Sequence, residues 1–225
     1  MKKINLLLFI FPFLLIIGCK SNEEKADELI KTELSKKLYD YDSYQPIETI
    51  VTEAKMTRFN DSTCWEQGRL LDFSMQKAQE YFKEYKMSVS SMDLWIPSSF
   101  STSYSNSQYY KYKNESIENL LNVEKAYRFS SKIASELSDR ITTLDSTKVI
   151  GWNVIHRFRC KTRGGQADIA NYRYVIDEDF SHILIREDMD ADKGIRVSLE
   201  SIDKEDYETL VKQIESLIQT IKSYN

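Results

Sequence analysis

From Lys148 to Arg163 apolar and polar residues alternate, with Ile150, Trp152, Val154, His156, Phe158 and Cys160 on one side and Gly151, Asn153, Ile155, Arg157, Arg159 and Lys161 on the other. Gly164-Gly165 follow, and the alternation resumes from Ile169 to Asp177 with Ala170, Tyr172, Tyr174 and Ile176 on one side. A period of two marks a half-buried strand, and two such runs around a glycine pair predict a hairpin. Its core-facing side chains are expected to be Trp152, Val154, Phe158, Tyr172 and Tyr174. Ser181 to Arg186 supplies a third short run. Ile47 to Phe59 supplies an earlier strand, with Ile50, Thr52, Ala54 and Met56 on one side and a polar opposite face that suits an antiparallel sheet wet on that side.

Helical spacing accounts for much of the remainder. Ala26, Leu29, Ile30, Leu34 and Leu38 predict a helix from Glu23 to Tyr39, stopped by the turn-rich Asp40 to Pro46. Most of Trp65 to Trp95 reads as a long helix ended by Pro97, and Ser98 to Tyr112 as a Ser/Tyr/Asn-rich loop. A further helix is expected from Ser116, with Leu120, Tyr127, Ala134 and Ile141 in a stripe broadened by Leu121, Phe129, Ile133 and Leu137 and buried against the sheet. Lys204 to Tyr224 closes the chain with a last helix. The expected fold is α+β: an antiparallel sheet of about four strands, ending in a meander of three, packed against several helices.

The first residues carry an address. Lys2 and Lys3 precede an apolar run from Ile4 to Ile17 that ends in Gly18-Cys19, the three-part layout of an export signal. That run is shorter than the roughly 20 residues a membrane-spanning helix needs and contains Asn5 and Pro12. Ile16-Ile17-Gly18-Cys19 resembles the lipobox of bacterial lipoproteins. The resemblance implies a signal peptide over residues 1–18, a lipidated Cys19 and attachment to a membrane through that lipid; the polar run that follows reads as a tether over residues 19–25, and the length and apolar content of 26–225 suit a single globular domain. The carboxylate-rich Lys20 to Glu28 is similar to the segments that follow the lipidated cysteine in surface-exported lipoproteins of Bacteroidetes-type bacteria. The helix, the Tyr44 to Ile47 step into a strand and the late hairpin look like small lipoproteins of gut Bacteroidetes, a likeness that implies the outer membrane, possible surface display and no particular activity.

The formal net charge of −4 gives no general attraction for phosphate backbones, and no Lys/Arg run is interleaved with aromatics, which disfavours a nucleic-acid partner. Of three cysteines, Cys64 and Cys160 remain once Cys19 is lipidated. In an oxidising compartment they are either a disulfide or buried free thiols.

Catalytic motifs are sparse. His156 shares a predicted face with Trp152 and Phe158, the setting of a hydrogen-bonded core histidine, and His182 falls at a solvated turn. Cys160 and His156, four residues apart on one strand, lie about 13 Å apart and cannot pair. No Gly-x-Ser-x-Gly elbow, zinc-ligand spacing or cofactor-binding motif occurs. Glu187 to Gly194 superficially resembles a calcium loop, but counting from Asp188 puts Lys193 where glycine belongs and Leu199 where the bidentate glutamate belongs, so a solvated acidic turn is expected. Phe100, Tyr104, Tyr109, Tyr110 and Tyr112 offer rigid amphipathic contact area for a glycan or an envelope protein. The resulting expectation is a non-catalytic binding or accessory lipoprotein. Alternatives are a glycan-binding component of a surface uptake system and a hydrolase with an unrecognised site.

Overall fold

The structure, a computed structural model, describes residues 20–200 and 204–223; the expected signal peptide and Cys19 lie outside the described residues. The elements run α1 (Asn22–Lys37), β1 (Asp40–Lys55), α2 (Ser62–Asp93), α3 (Ser103–Thr142), β2 (Val149–Lys161), β3 (Ala167–Ile176), β4 (Ile183–Asp188), α4 (Lys193–Glu200) and α5 (Lys204–Ser223). The four strands form one antiparallel sheet in chain order, so the fold is α+β with the meander expected.

The hairpin turns where the glycines place it. Thr162 and Gln166 close the connection through a backbone hydrogen bond of 2.9 Å, and Gly165 sits at φ +79°, a left-handed conformation that L side chains rarely adopt. Val154 pairs with Tyr174 and Phe158 with Ala170. Val154, Phe158 and Tyr174 are fully buried, and Trp152 and Tyr172 are half-buried around them. Gly151, at φ +134°, lets β2 pass so close to β3 that a Cβ there would lie 2.0 Å from the Ile176 carbonyl oxygen.

Both faces of the sheet are covered. On one, α1 lays Ala26, Ile30 and Leu34 over Val154, Phe158, Tyr174 and Ile176. Ser21 caps this helix reciprocally with Glu24, so Asn22 to Lys25, expected in a tether, form its first turn. On the other face, Ala54, Val175 and Ile185 meet Cys64, Trp65, Leu137, Ile195 and Leu199 from α2, α3 and α4. The two long helices then continue as a hairpin of their own, sealed by α5 through Ile214, Ile218 and Ile221 against Ala78, Leu120 and Val123.

Three expectations are corrected. Asp40 to Pro46 is strand rather than turn, because its turn-forming residues are absorbed as register shifts at Asp40/Gln45 and Pro46/Glu48 on an edge strand, where proline need not donate. Ser103 to Tyr112 is helix rather than loop, and Ser116 lies buried in mid-helix, its hydroxyl donating to the Lys113 carbonyl. The stripe from Leu120 to Tyr127 packs on α2 and α5, and only Leu137 and Ile141 reach the sheet. The acidic turn is present as expected over Asp188 to Asp192, and directly after it Lys193–Glu200, for which the sequence pattern predicts no element, form a short helix because Ile195 and Leu199 are drawn onto α2 beside Gly68.

A buried charged cluster joins these layers. Arg173 on β3 is cross-strand partner of Glu187 on β4 and donates to it through Nε; it also donates to Asn60 Oδ1 at 2.8 Å, Asn153 Oδ1 at 3.3 Å and the Phe59 carbonyl at 2.9 Å. Arg196 of α4 donates to both oxygens of the same carboxylate. Burial raises the Glu187 pKa, but the two guanidiniums outweigh it and hold the carboxyl below its ordinary range.

Two stability measurements check this reading. Phe158→Ala is expected to cost about 3–5 kcal/mol in urea unfolding; a cost below 1 kcal/mol would place the ring outside the core. Glu187→Gln, which leaves two guanidiniums facing a neutral amide, is expected to cost about 3–5 kcal/mol. A neutral outcome would mean the cluster is solvated.

Candidate functional site

The two histidines occupy different environments. His156, fully buried on the α1 face, is the centre of a hydrogen-bonded chain: Thr49 Oγ1 donates to Asp27 Oδ1 at 2.6 Å and lies 2.9 Å from His156 Nδ1, while Tyr44 Oη lies 2.8 Å from Nε2. The single hydroxyl proton of Thr49 is committed to Asp27, so Nδ1–H donates to Thr49 and Nε2 accepts from the Tyr44 hydroxyl. This fixes the neutral imidazole in one tautomer. Tyr44 is itself stacked on Tyr41 and tilted against Phe158. The sequence expectation of a hydrogen-bonded core histidine is met, and the partner Asp27 comes from α1. His182 is exposed, its Nδ1 3.1 Å from Asp177 Oδ2 in the β3–β4 turn.

Cys64 and Cys160 are free thiols. A disulfide between them is excluded by topology: Cys64 packs into the cluster under α2 to α4, whereas Cys160 packs against the cluster under α1, across the sheet. Burial, followed by the neighbouring Asp61 carboxylate, pushes the Cys64 thiol up to about 12, the opposite of an activated nucleophile. In the acidic turn, Asp188 Oδ1 accepts from the Asp190 and Ala191 amides and Asp192 Oδ2 from the Asp188 amide, so the carboxylates hold the turn itself. Among the described residues no group of three or more His, Cys, Asp or Glu side chains is arranged to hold a metal.

The most exposed apolar surface is at the end of the α2–α3 hairpin. Leu94 is 81% exposed, Ile96 62%, Phe100 95% and Tyr104 65%, and Trp95 sets its ring edge-on to Tyr104 at 5.7 Å. Of the five aromatic residues singled out in the sequence, Phe100 and Tyr104 belong to this tip. Tyr109 is buried beneath it, Tyr110 is turned edge-on to Tyr109, and Tyr112 lies under the Lys111 ammonium. Phe100 stands in the turn before α3 and helical geometry spreads the four tyrosines around that helix, so the five do not form one aromatic platform. Leu94, Trp95 and Ile96 were missed because they sit at the helix stop before Pro97. The signal that could have found them is the uncharged run from Leu94 to Tyr110. Behind the tip a recess of about 600 Å³ is lined by Tyr85, Met92, Ile96, Tyr109, Leu217 and Ile221.

The His156 chain yields a pH dependence. Burial lowers the imidazole pKa, Asp27 pulls it back up and Lys31 pushes it down, with a net lowering. The folded state refuses a proton that the unfolded chain accepts near a pH of about 6.5. The stability contributed by neutral His156 is thus present above about 6.5 and lost as the pH falls towards the folded-state value. The urea midpoint is expected to decrease on acidification through that window and to do so less steeply in His156→Gln. Equal slopes would show that other groups set the dependence.

Compared with family models, curated proteins and solved structures, the chain matches none of them, so the functional reading is built from its own residues.

Proposed function

We propose that the chain is a lipid-anchored, non-catalytic binding or accessory protein of the bacterial outer envelope, which uses the tip of the α2–α3 hairpin as its contact surface. The address is supported by Ile16-Ile17-Gly18-Cys19 at the end of a short apolar run behind Lys2 and Lys3. Membrane attachment is assigned to the lipid on Cys19; among the described residues no helix is long and apolar enough to cross a membrane.

The observation that carries binding is the tip. Single exposed apolar residues are ordinary, but Leu94, Ile96 and Phe100 fall within seven residues of one another, are largely exposed and follow the end of a helix of 32 residues, about 48 Å long. A rigid scaffold holding such a loop away from the sheet is the arrangement of a recognition element. The histidine and cysteine environments favour the same reading, since His156 is locked in a core chain and Cys64 is held protonated.

Replacing Cys19 by Ala tests the anchor. The substituted chain is expected to lose metabolic fatty-acid labelling and to leave the membrane fraction after a high-salt wash. A variant that still sediments with washed membranes and still takes up label sinks the assignment.

A further inference from the structure

Leu94 to Tyr110 is a run of 17 consecutive uncharged residues in a chain of which 29% is charged, and beyond residue 20 no other uncharged run exceeds eight. Asp93 and Lys111 bracket it. Its outermost side chains, Leu94, Ile96 and Phe100, are aliphatic or aromatic hydrocarbons, and Trp95 and Tyr104, which carry one polar atom each, stand together beside them. A protein partner is ordinarily selected with charge complementarity, and the run itself offers none, its nearest charges being Asp93 and Lys111 at its edges. The headgroup–hydrocarbon boundary of a bilayer asks for none, and it favours this order: Trp and Tyr at the interface, Leu, Ile and Phe beyond.

A second, independent feature is how the tip satisfies its backbone. Ser98 N–H donates to Ser101 Oγ at 2.6 Å, Phe100 N–H to Ser98 Oγ at 3.3 Å, Ser101 N–H to the Ser98 carbonyl at 3.0 Å and Ser105 N–H to Thr102 Oγ1 at 3.2 Å. Trp95 N–H is taken up by the Met92 carbonyl at 2.9 Å. Polar backbone entering a medium without water needs partners within its own segment, and the serine and threonine hydroxyls supply them here. The recess that Ile96 shares with Met92, Leu217 and Ile221 opens beside the tip, and Asp93 and Thr220, which also line it, mark where the uncharged surface ends.

We propose that the α2–α3 tip inserts shallowly into the interfacial region of a lipid bilayer, with Phe100, Ile96 and Leu94 among the upper acyl chains and Trp95 and Tyr104 at headgroup depth. The partner is zwitterionic lipid, because the chain's net charge of −4 gives no attraction to an anionic surface. The contact therefore does not weaken with salt. This rests on the tip being the contact surface, and it is independent of whether Cys19 is acylated.

The test uses the full chain with phosphatidylcholine vesicles whose acyl chains are brominated near the headgroup, reading tryptophan emission. Trp65 is buried and Trp152 is stacked on Phe180, so both serve as internal references. Bromolipid is expected to quench one component of the emission at low and high salt alike, and Trp95→Phe is expected to abolish that component. Phe100→Ser is expected to lower the ratio of inserted to free tip about tenfold, whereas Phe100→Leu retains insertion. The unchanged Trp65 and Trp152 signals report folding. A Trp95 component that bromolipid leaves untouched overturns the proposal, and so does quenching that Phe100→Ser does not alter. Trp95 shielded from aqueous iodide yet unquenched by bromolipid would place a second copy of the chain on the tip and overturn it as well. Failure of the anchor alone reads differently: the chain leaves washed membranes while the Trp95 component remains quenched by added vesicles.

Discussion

The Arg173 guanidinium is the point through which the sheet, the entry to α2 and the short helix α4 are fixed relative to one another. It stands at the junction of β3 with β4, takes its acceptors from β2, from the β1–α2 connection and from Glu187, and lies 5.4 Å from the Trp65 ring centroid of α2. Burying a cation costs several kcal/mol before any partner is counted, so such a group persists only where the surroundings supply nearly all its hydrogen bonds. That requirement is geometric. A strand slip of one residue would carry Arg173 to the α1 face and leave Glu187 opposite nothing, so the cluster specifies register as well as joining layers. One step further along α2, Asp61 caps the helix through the Cys64 amide at 2.8 Å and pairs with Arg140 at 2.6 Å, which ties the start of α2 to the end of α3.

Because that junction lies on one face of the sheet, the opposite face is left to α1 alone. The two cores do not mix: Phe158 and Tyr174 look towards Ile30 and Leu34, while Val175 and Ile185 look towards Trp65 and Leu199. The consequence for function is spatial. The helix that follows the proposed anchor and the helices that carry the apolar tip are on opposite faces of the sheet, so attachment at one does not obstruct contact at the other. The Asp27–Thr49–His156–Tyr44 chain is the polar feature in the α1 interface, and it gives that otherwise greasy contact a direction and a register.

The legible parts of the sequence were those where periodicity and burial agree. In β2, side chains on the α1 face alternate with side chains turned the other way, so the strand, its partner and the glycine turn could be read directly. The start of α3 was illegible because Ser, Tyr and Asn carry little helix propensity; what makes that segment helical is the Thr102 cap and the burial of Tyr109 between helices, both visible only in three dimensions. The start of β1 was hidden by residues that favour turns, which an edge strand tolerates. The acidic turn at Asp188, Asp190 and Asp192 was legible, but α4 directly after it was not, because that helix forms only where Ile195 and Leu199 find a partner surface far away in sequence. The alternation placed Cys160 on its correct face, but no local pattern could say that Cys64 packs behind the sheet.

The exposed tip is not an accident of helices outrunning their packing. The α5 helix buttresses the α2–α3 hairpin through Ile214, Ile218 and Ile221, and the recess opens around its last turns, where Leu217 and Ile221 meet Met92, Ile96 and Tyr109. A chain under pressure only to stay soluble would be expected to place charged side chains where the buttress runs out, since 29% of its residues are charged and lysine stems can cover apolar surface while keeping the head in water. Lys86 does this over Phe82 and Lys77 over Phe73 elsewhere on α2. At the tip the same device is missing for 17 residues, and hydroxyls that serve the backbone stand in its place. Phe73 and Phe129 are also part-exposed along the hairpin, but only at its end does exposed apolar surface coincide with a long run that carries no charge, and that coincidence is the physical ground for assigning the end a partner that is itself apolar.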